Sequence, residues 1–274
     1  MIHKILFFLY LHHFYAIYSH FSSSLHNANS DRTFFAAGSN CTGPPGVEVL
    51  YDESLDFNSS LLNTTINPDL LPERLDGKDC VKVAAHQYLR VNTIFEVARK
   101  HKLITAWTDK LPAYDIVRGP SGDSVDDLFV PEIASVNKTN FKEVEGYDQH
   151  HIQAILNWIN GKDHDGNAFE VPSIFGGNFQ SVSVAQKGVG EGYKDANATP
   201  SDDLLSALFF VDDALGQFLD ALDQQHLTDK TVIIITAKHG QSPIDPSKTK
   251  LISSDLLAGS ISVPVAQVRK FIFF

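Results

Sequence analysis

The stretch that most constrains this chain runs from Thr199 to Pro243. Its centre is the run Thr231-Val232-Ile233-Ile234-Ile235-Thr236-Ala237. An apolar, β-branched run without alternation predicts a strand buried on both faces, as in the parallel sheet of an α/β protein. The segment before it predicts a helix. Leu205, Leu208, Phe209, Asp212, Leu215, Phe218, Leu219 and Leu222 follow helical spacing, and all but Asp212 are apolar. Thr199 suits the cap, Pro200 the first helical position, and Asp202 and Asp203 the positive end of the helix dipole. Lys238-His239-Gly240-Gln241-Ser242 follows the strand. Ligands of open α/β sheets sit beyond the carboxyl ends of the strands, and His is both a metal ligand and an acid–base group near neutral pH. A strand end carrying a solvated His is the plainer reading of the same residues.

At 274 residues the chain is long enough for one large or two small domains with a substantial core. Its net charge of −11 argues against binding a nucleic-acid duplex, which calls for a basic surface. A phosphate ligand stays compatible with that charge, because bound cations invert the local field. Cys41 and Cys80 flank a turn-rich segment, and in a secreted protein they would pair. Sequons begin at Asn40, Asn58, Asn63, Asn137 and Asn197. Cysteines and sequons together point to the secretory route, with a disulfide and glycosylated asparagines.

Taken in order, residues 1–24 read as a signal peptide or as an N-terminus outside the fold. Lys4 precedes the apolar run Ile5–Leu11, which is too short for a membrane span, and His12 and His13 interrupt it. A short strand is expected at Val47–Tyr51. Asp52, Glu53 and Asp56 read as a solvated loop. Tyr88–Lys102 reads as a helix with Val91, Ile94, Phe95 and Ala98 on one face, followed by a strand over Leu103–Trp107. Asp109 and Lys110 then fall past a strand end, either lining a site or forming a surface ion pair. A brief strand is expected at Leu128–Pro131, and a helix over Asp148–Asn160 with Asp148 as its cap and Ile152, Ile155, Leu156 and Ile159 on its face. His150 and His151 are adjacent on that helix and so form a poor chelating pair. Asp163-His164-Asp165-Gly166 reads as a plain turn rather than a calcium loop. Strand segments are expected at Ser173–Phe175 and Asn178–Val184.

Several segments resemble one family in the expected order. Val211-Asp212-Asp213-Ala214-Leu215-Gly216-Gln217-Phe218-Leu219-Asp220-Ala221-Leu222 is similar to a helix motif of the alkaline phosphatase superfamily, in its type I phosphodiesterase/nucleotide pyrophosphatase branch. Lys238-His239-Gly240 stands where that branch carries Asp-His-Gly. Val49–Ser54, Thr105–Lys110, Pro112–Asp115 and Asn178–Val184 resemble a subgroup of the same branch. The resemblance spans roughly Asn40–Ser247.

It implies a mostly parallel α/β sheet with helices on both faces, alkaline-phosphatase-like and incomplete. The division that follows is 1–24 outside the fold, 40–247 a partial α/β domain, and 248–274 an irregular tail. The resemblance also implies a phosphoric-ester hydrolase acting on phosphodiesters or nucleotides with a divalent metal, zinc in the usual case. His239 would be the metal ligand, and Lys238, Asp109 and Lys110 would line the site.

This chain departs from the pattern in four places. Lys238 replaces an Asp. The Asp and His, four residues apart, that the wider family carries near Asn178 are missing. The segment bearing a Ser or Thr nucleophile is not recognised before Asn40. No His follows His239. The alternative reading is therefore a relative or fragment that keeps the scaffold without turnover.

Overall fold

Lys4–Tyr10, the apolar run near the N-terminus, forms β1, a strand inside the main sheet rather than a stretch outside the fold. The computed structural model describes residues 4–10, 34–45, 55–58, 65–133, 136–137, 140–187 and 192–237. β1 pairs in parallel with β7 (Ile174–Phe179) on one side and β8 (Thr231–Thr236) on the other. β5 (Ala106–Thr108) and β6 (Asp127–Phe129) complete five parallel strands in the order β6-β5-β7-β1-β8. Lys4 anchors the start of β1, its Nζ donating to the carbonyls of Val171 and Pro172 at 2.8 and 3.2 Å.

Alternation along the inner strands separates two cores. Ala106, Phe175, Phe179 and Leu6 face α2 (Phe141–Ile159), α3 (Ser181–Lys187) and α4 (Asp202–Gln224). Trp107 and Ile174 face the other way, toward α1 (Ile94–Lys100) and two 3-10 segments, Ala85–Tyr88 and Pro112–Arg118. The expected α/β fold with helices on both faces is therefore present. Gly177 is required where β7 meets β5. A Cβ there would lie 2.5 Å from Thr108 Cγ2 and 3.3 Å from Ile155 Cδ1.

A second, antiparallel sheet joins β2 (Phe34–Phe35), β3 (Glu73–Asp76) and β4 (Asp79–Lys82). The disulfide expected between Cys41 and Cys80 closes this region, across a sequence separation of 39.

Several local expectations shift. The long helix before β8 begins at Asp202, with Ser201 as its cap, the Oγ accepting from Leu204 N at 3.1 Å, rather than with Thr199. Its buried face is Leu204, Ala207, Val211, Ala214, Phe218, Ala221 and Leu222, whereas Leu205, Phe209 and Leu219 are exposed. Bulky residues dominated the sequence pattern, yet small Ala residues mark the face that packs on the sheet side. The helix expected over Asp148–Asn160 starts at Phe141, with Asn140 as its cap. The helix expected over Tyr88–Lys102 is confined to Ile94–Lys100, with Thr93 as cap, and its Val91 and Ile94 are exposed. The strand expected over Asn178–Val184 ends at Phe179, and α3 starts two residues later. β8 is half-buried rather than buried on both faces. It is a sheet edge among the described residues, and Ile235 is exposed beside an open groove with Leu215, Gly216 and Leu219.

Candidate functional site at the carboxyl edge of the sheet

All five strands run parallel, so their carboxyl ends share one edge. Asp109 follows β5 and is buried. Its Oδ1 accepts from Asn178 Nδ2 at 3.1 Å and from Lys110 N at 2.9 Å, and its Oδ2 accepts from Trp107 Nε1 at 3.3 Å. Its own N–H donates to Phe129 O, tying β5 to the end of β6. Lys110, one residue on, is half-buried. Asn178 occupies the corresponding end of β7, and the Thr108–Gly177 pairing sets the register that brings the two side chains together.

Behind this edge lies a buried polar layer carried by α2. Asp148 is fully buried, and its carboxylate accepts from Gln180 N (2.9 Å to each oxygen) and Ser181 N (2.8 Å). It caps α3 from a neighbouring helix instead of capping its own. Burial pushes its pKa up to about 7, against the two amide donors that hold the carboxylate down. His151, one turn along, is also fully buried. Its Nδ1 meets Thr108 Oγ1, while its Nε2 has no hydrogen-bond partner. Burial, helped by nearby His150, lowers its pKa to about 3, so the ring is neutral. Tyr147 stacks edge-on against His151 at 4.7 Å and donates to Pro131 O at 2.7 Å. Its pKa is driven well above the phenolic range by burial and by the negative charges of Asp148, Asp109 and Glu132.

Sequence reasoning named Asp109 and Lys110 but missed Asn178, Thr108, Tyr147 and the true partners of Asp148 and His151. A signal was available. Asp148 and His151 sit on the stripe of Ile152 and Ile155, so a carboxylate and an imidazole interrupt an apolar face. Lys238 and His239 lie outside the described residues, as does Asn63. Asn40, Asn58, Asn137 and Asn197 are exposed. The loop at Asp163 is a turn, as expected, its carboxylate accepting from Asn167 N and Nδ2. His164 leaves that loop to meet Asp127, which also accepts from Trp158 Nε1 and His164 N. This pairing raises the His164 pKa.

The family model for type I phosphodiesterase/nucleotide pyrophosphatase matches residues 51–265. The chain belongs to that family. The match runs through β3 to β8, so it includes every residue of the carboxyl edge described above except β1. No curated protein matches the chain.

The family is generally metal-dependent, and the described residues do not fit such a group. Among them, one set of three potential ligands converges, Cys41, Glu73 and Cys80. Both sulfurs are spent in the disulfide, and a disulfide sulfur is not a thiolate ligand. At the carboxyl edge, Asp109 and Asp148 accept from N–H donors on both oxygens. No helix among the described residues is long and apolar enough to cross a membrane.

Proposed function

We propose that this chain carries the phosphoric-ester site of a phosphodiesterase or nucleotide pyrophosphatase at the carboxyl edge of its parallel sheet. The observation that carries the reading is the family match over 51–265, which covers the strand ends where Asp109, Lys110 and Asn178 cluster. Strand order sets the scale. β8 lies three places from β5, or roughly 14 Å at the usual strand spacing. The ends of β5 and β8 are thus far enough apart to flank a nucleotide-sized ester. In this reading Lys110 contacts the ligand, Asp109 positions the β5 turn, and His239 offers the ligand nitrogen to a divalent metal, zinc by family analogy. The working domain takes in β1 and β2 together with the matched strands up to β8. The disulfide and the exposed sequons at Asn40, Asn58, Asn137 and Asn197 support a secreted, glycosylated protein.

The described donor sets favour a second reading, a scaffold that binds the ester without turnover. A hydrolase needs charge placed where the transition state develops it. Here Asp109 and Asp148 are engaged by protein N–H groups. Bis(p-nitrophenyl) phosphate decides between them. Nitrophenolate release by the purified chain with added zinc, lost in His239→Ala, establishes the hydrolase. Ester binding without release establishes the scaffold, and neither binding nor release ends both readings.

A further inference from the structure

One face of α2 reaches three strand ends. Tyr147 Oη donates to Pro131 O, two residues past β6, at 2.7 Å. The Asp148 carboxylate accepts from Gln180 N at 2.9 Å and from Ser181 N at 2.8 Å, where β7 passes into α3. His151 Nδ1 meets Thr108 Oγ1, on the last residue of β5. These three side chains stand at i, i+1 and i+4, and the Tyr147 and His151 rings pack edge to face at 4.7 Å. All three are buried. β6, β5 and β7 are neighbours in the sheet, so little more than one helical turn grips three adjacent strands at the edge that carries Lys110. We propose that Tyr147, Asp148 and His151 are positioning residues for that edge: they hold the ends of β6, β7 and β5 as one unit, and so fix where Lys110 and the turn into α3 meet a bound ester.

Two features make the hold rigid. First, α2 is tied to β6 beyond both ends of the helical turn in question. Trp158 Nε1 donates to Asp127, the first residue of β6, while Tyr147 holds the chain past its last. Sliding the helix along the sheet would break a buried hydrogen bond and leave a desolvated donor or acceptor unmet. Second, Thr108 has a fixed seat. Its hydroxyl meets His151 on one side, and its Cγ2 packs so close to Gly177 that a Cβ there would lie 2.5 Å away. Lys110 is two residues beyond that seat, and Asp109 N donates across to Phe129 O at the end of β6. A shift at Thr108 is therefore passed to both strand ends. Three separate contacts, each steadying its own loop, would give a similar stability without this coupling. The functional half of the assignment rests on the proposed ester site, whereas coupling among the strand ends is read without a ligand, so either can fail alone.

The experiment pairs calorimetric titration with thymidine 5′-monophosphate and amide hydrogen exchange by NMR, scaled to the central amides of β1. Thr108→Val removes the hydroxyl at nearly constant volume, Thr108→Ser keeps it, and Tyr147→Phe removes the phenolic O–H. Leu222→Ala, fully buried in the last turn of α4, is a control that destabilises away from this layer. Thr108→Val should bind about fivefold more weakly than wild type, the worth of one lost hydrogen bond. Thr108→Ser should recover most of that loss. Leu222→Ala should melt lower yet bind within about twofold of wild type. Both Thr108→Val and Tyr147→Phe should speed exchange at the Gln180 and Ser181 amides, whose carboxylate partner neither substitution alters. Wild-type affinity in Thr108→Val overturns the proposal, as does Thr108→Ser binding no better than Thr108→Val. So does an equal loss of affinity in Leu222→Ala, or exchange that quickens only at the strand end whose contact was removed. Should wild type bind no nucleotide, the ester site falls and exchange alone decides: spread to Gln180 and Ser181 sustains the shared hold, and confinement overturns it. Should Thr108→Val fail to fold, Tyr147→Phe carries both readouts with the same expectations.

Discussion

Two buried carboxylates behave in opposite ways in this protein. Glu73, on β3 of the small sheet, accepts from Lys82 Nζ at 2.6 Å, Ser39 Oγ at 3.0 Å and Cys41 N at 3.1 Å. The Lys82 hydrogen bond leads the causes that bring its pKa down to about 2. Asp148, on α2 behind the main sheet, accepts from the backbone amides of Gln180 and Ser181, and burial carries its pKa up to about 7. Two things separate them: Glu73 has a cationic partner in Lys82 near the surface, whereas Asp148 lies deep in the core, where burial outweighs its hydrogen bonds. The small sheet is a region built with charge and a covalent staple. The carboxyl edge is a region built with dipoles.

The largest expected effect tests the staple. Cys41→Ser/Cys80→Ser opens a loop of 39 residues, and the chain-entropy relation puts the loss at about 4 kcal/mol. Denaturation in guanidinium, with reduced wild type alongside, measures it. A loss under about 1 kcal/mol would mean that the charged cluster around Glu73 holds the small sheet without the bridge.

Asp148 comes next. Asp148→Ala strands the Gln180 and Ser181 amides and should cost about 1–3 kcal/mol. The pH dependence is the sharper readout. Its folded pKa, about 7, lies above the ordinary 3.8, so its contribution is full below 3.8 and is lost as pH rises to 7. His151 acts in reverse. Its folded pKa, about 3, lies below 6.5, so its contribution is full above 6.5 and is lost as pH falls to 3. The two slopes oppose each other between about pH 4 and 6.5, and wild type should look nearly flat there. Asp148→Asn removes one slope, so stability should then climb with pH across that window, by roughly 1.4 kcal/mol per pH unit at most. A profile parallel to wild type would refute the opposition.

A smaller effect belongs to Glu73. Its contribution is present above about 4.5 and fades as pH falls toward 2. Lys82→Met should lower stability at neutral pH and flatten the acid limb of the unfolding curve. Smallest is His164, whose raised pKa makes its bond to Asp127 strongest below 6.5 and weaker as pH climbs past its folded value. His164→Gln should remove a shallow alkaline loss, visible as a change in Tm between pH 6 and 9.

The chain advertises its main sheet well and its polar layer poorly. Thr231–Ala237 announces a parallel strand by composition, and Cys41 with Cys80 announces a staple by context. Lys4–Tyr10 misleads, because a short apolar run near the N-terminus has the composition of a leader as much as of an inner strand. The face of α4 misleads because its packing surface is small, Ala207, Ala214 and Ala221, while Phe209 and Leu219 point outward. Asp148 reads as a local cap because a sequence shows neighbours along the chain. The amides it caps belong to Gln180 and Ser181, over 30 positions away. Asn178 is illegible without β5 beside it.

The most direct test of the account is calorimetric titration of wild type, Lys110→Ala and the distant Lys230→Ala with thymidine 5′-monophosphate, the product-like end of a nucleotide ester. An ester site at the carboxyl edge predicts binding to wild type and Lys230→Ala, with affinity about tenfold weaker in Lys110→Ala, the worth of one charge-assisted hydrogen bond. No binding to wild type, or equal binding by Lys110→Ala, would contradict a phosphoric-ester site at the end of β5.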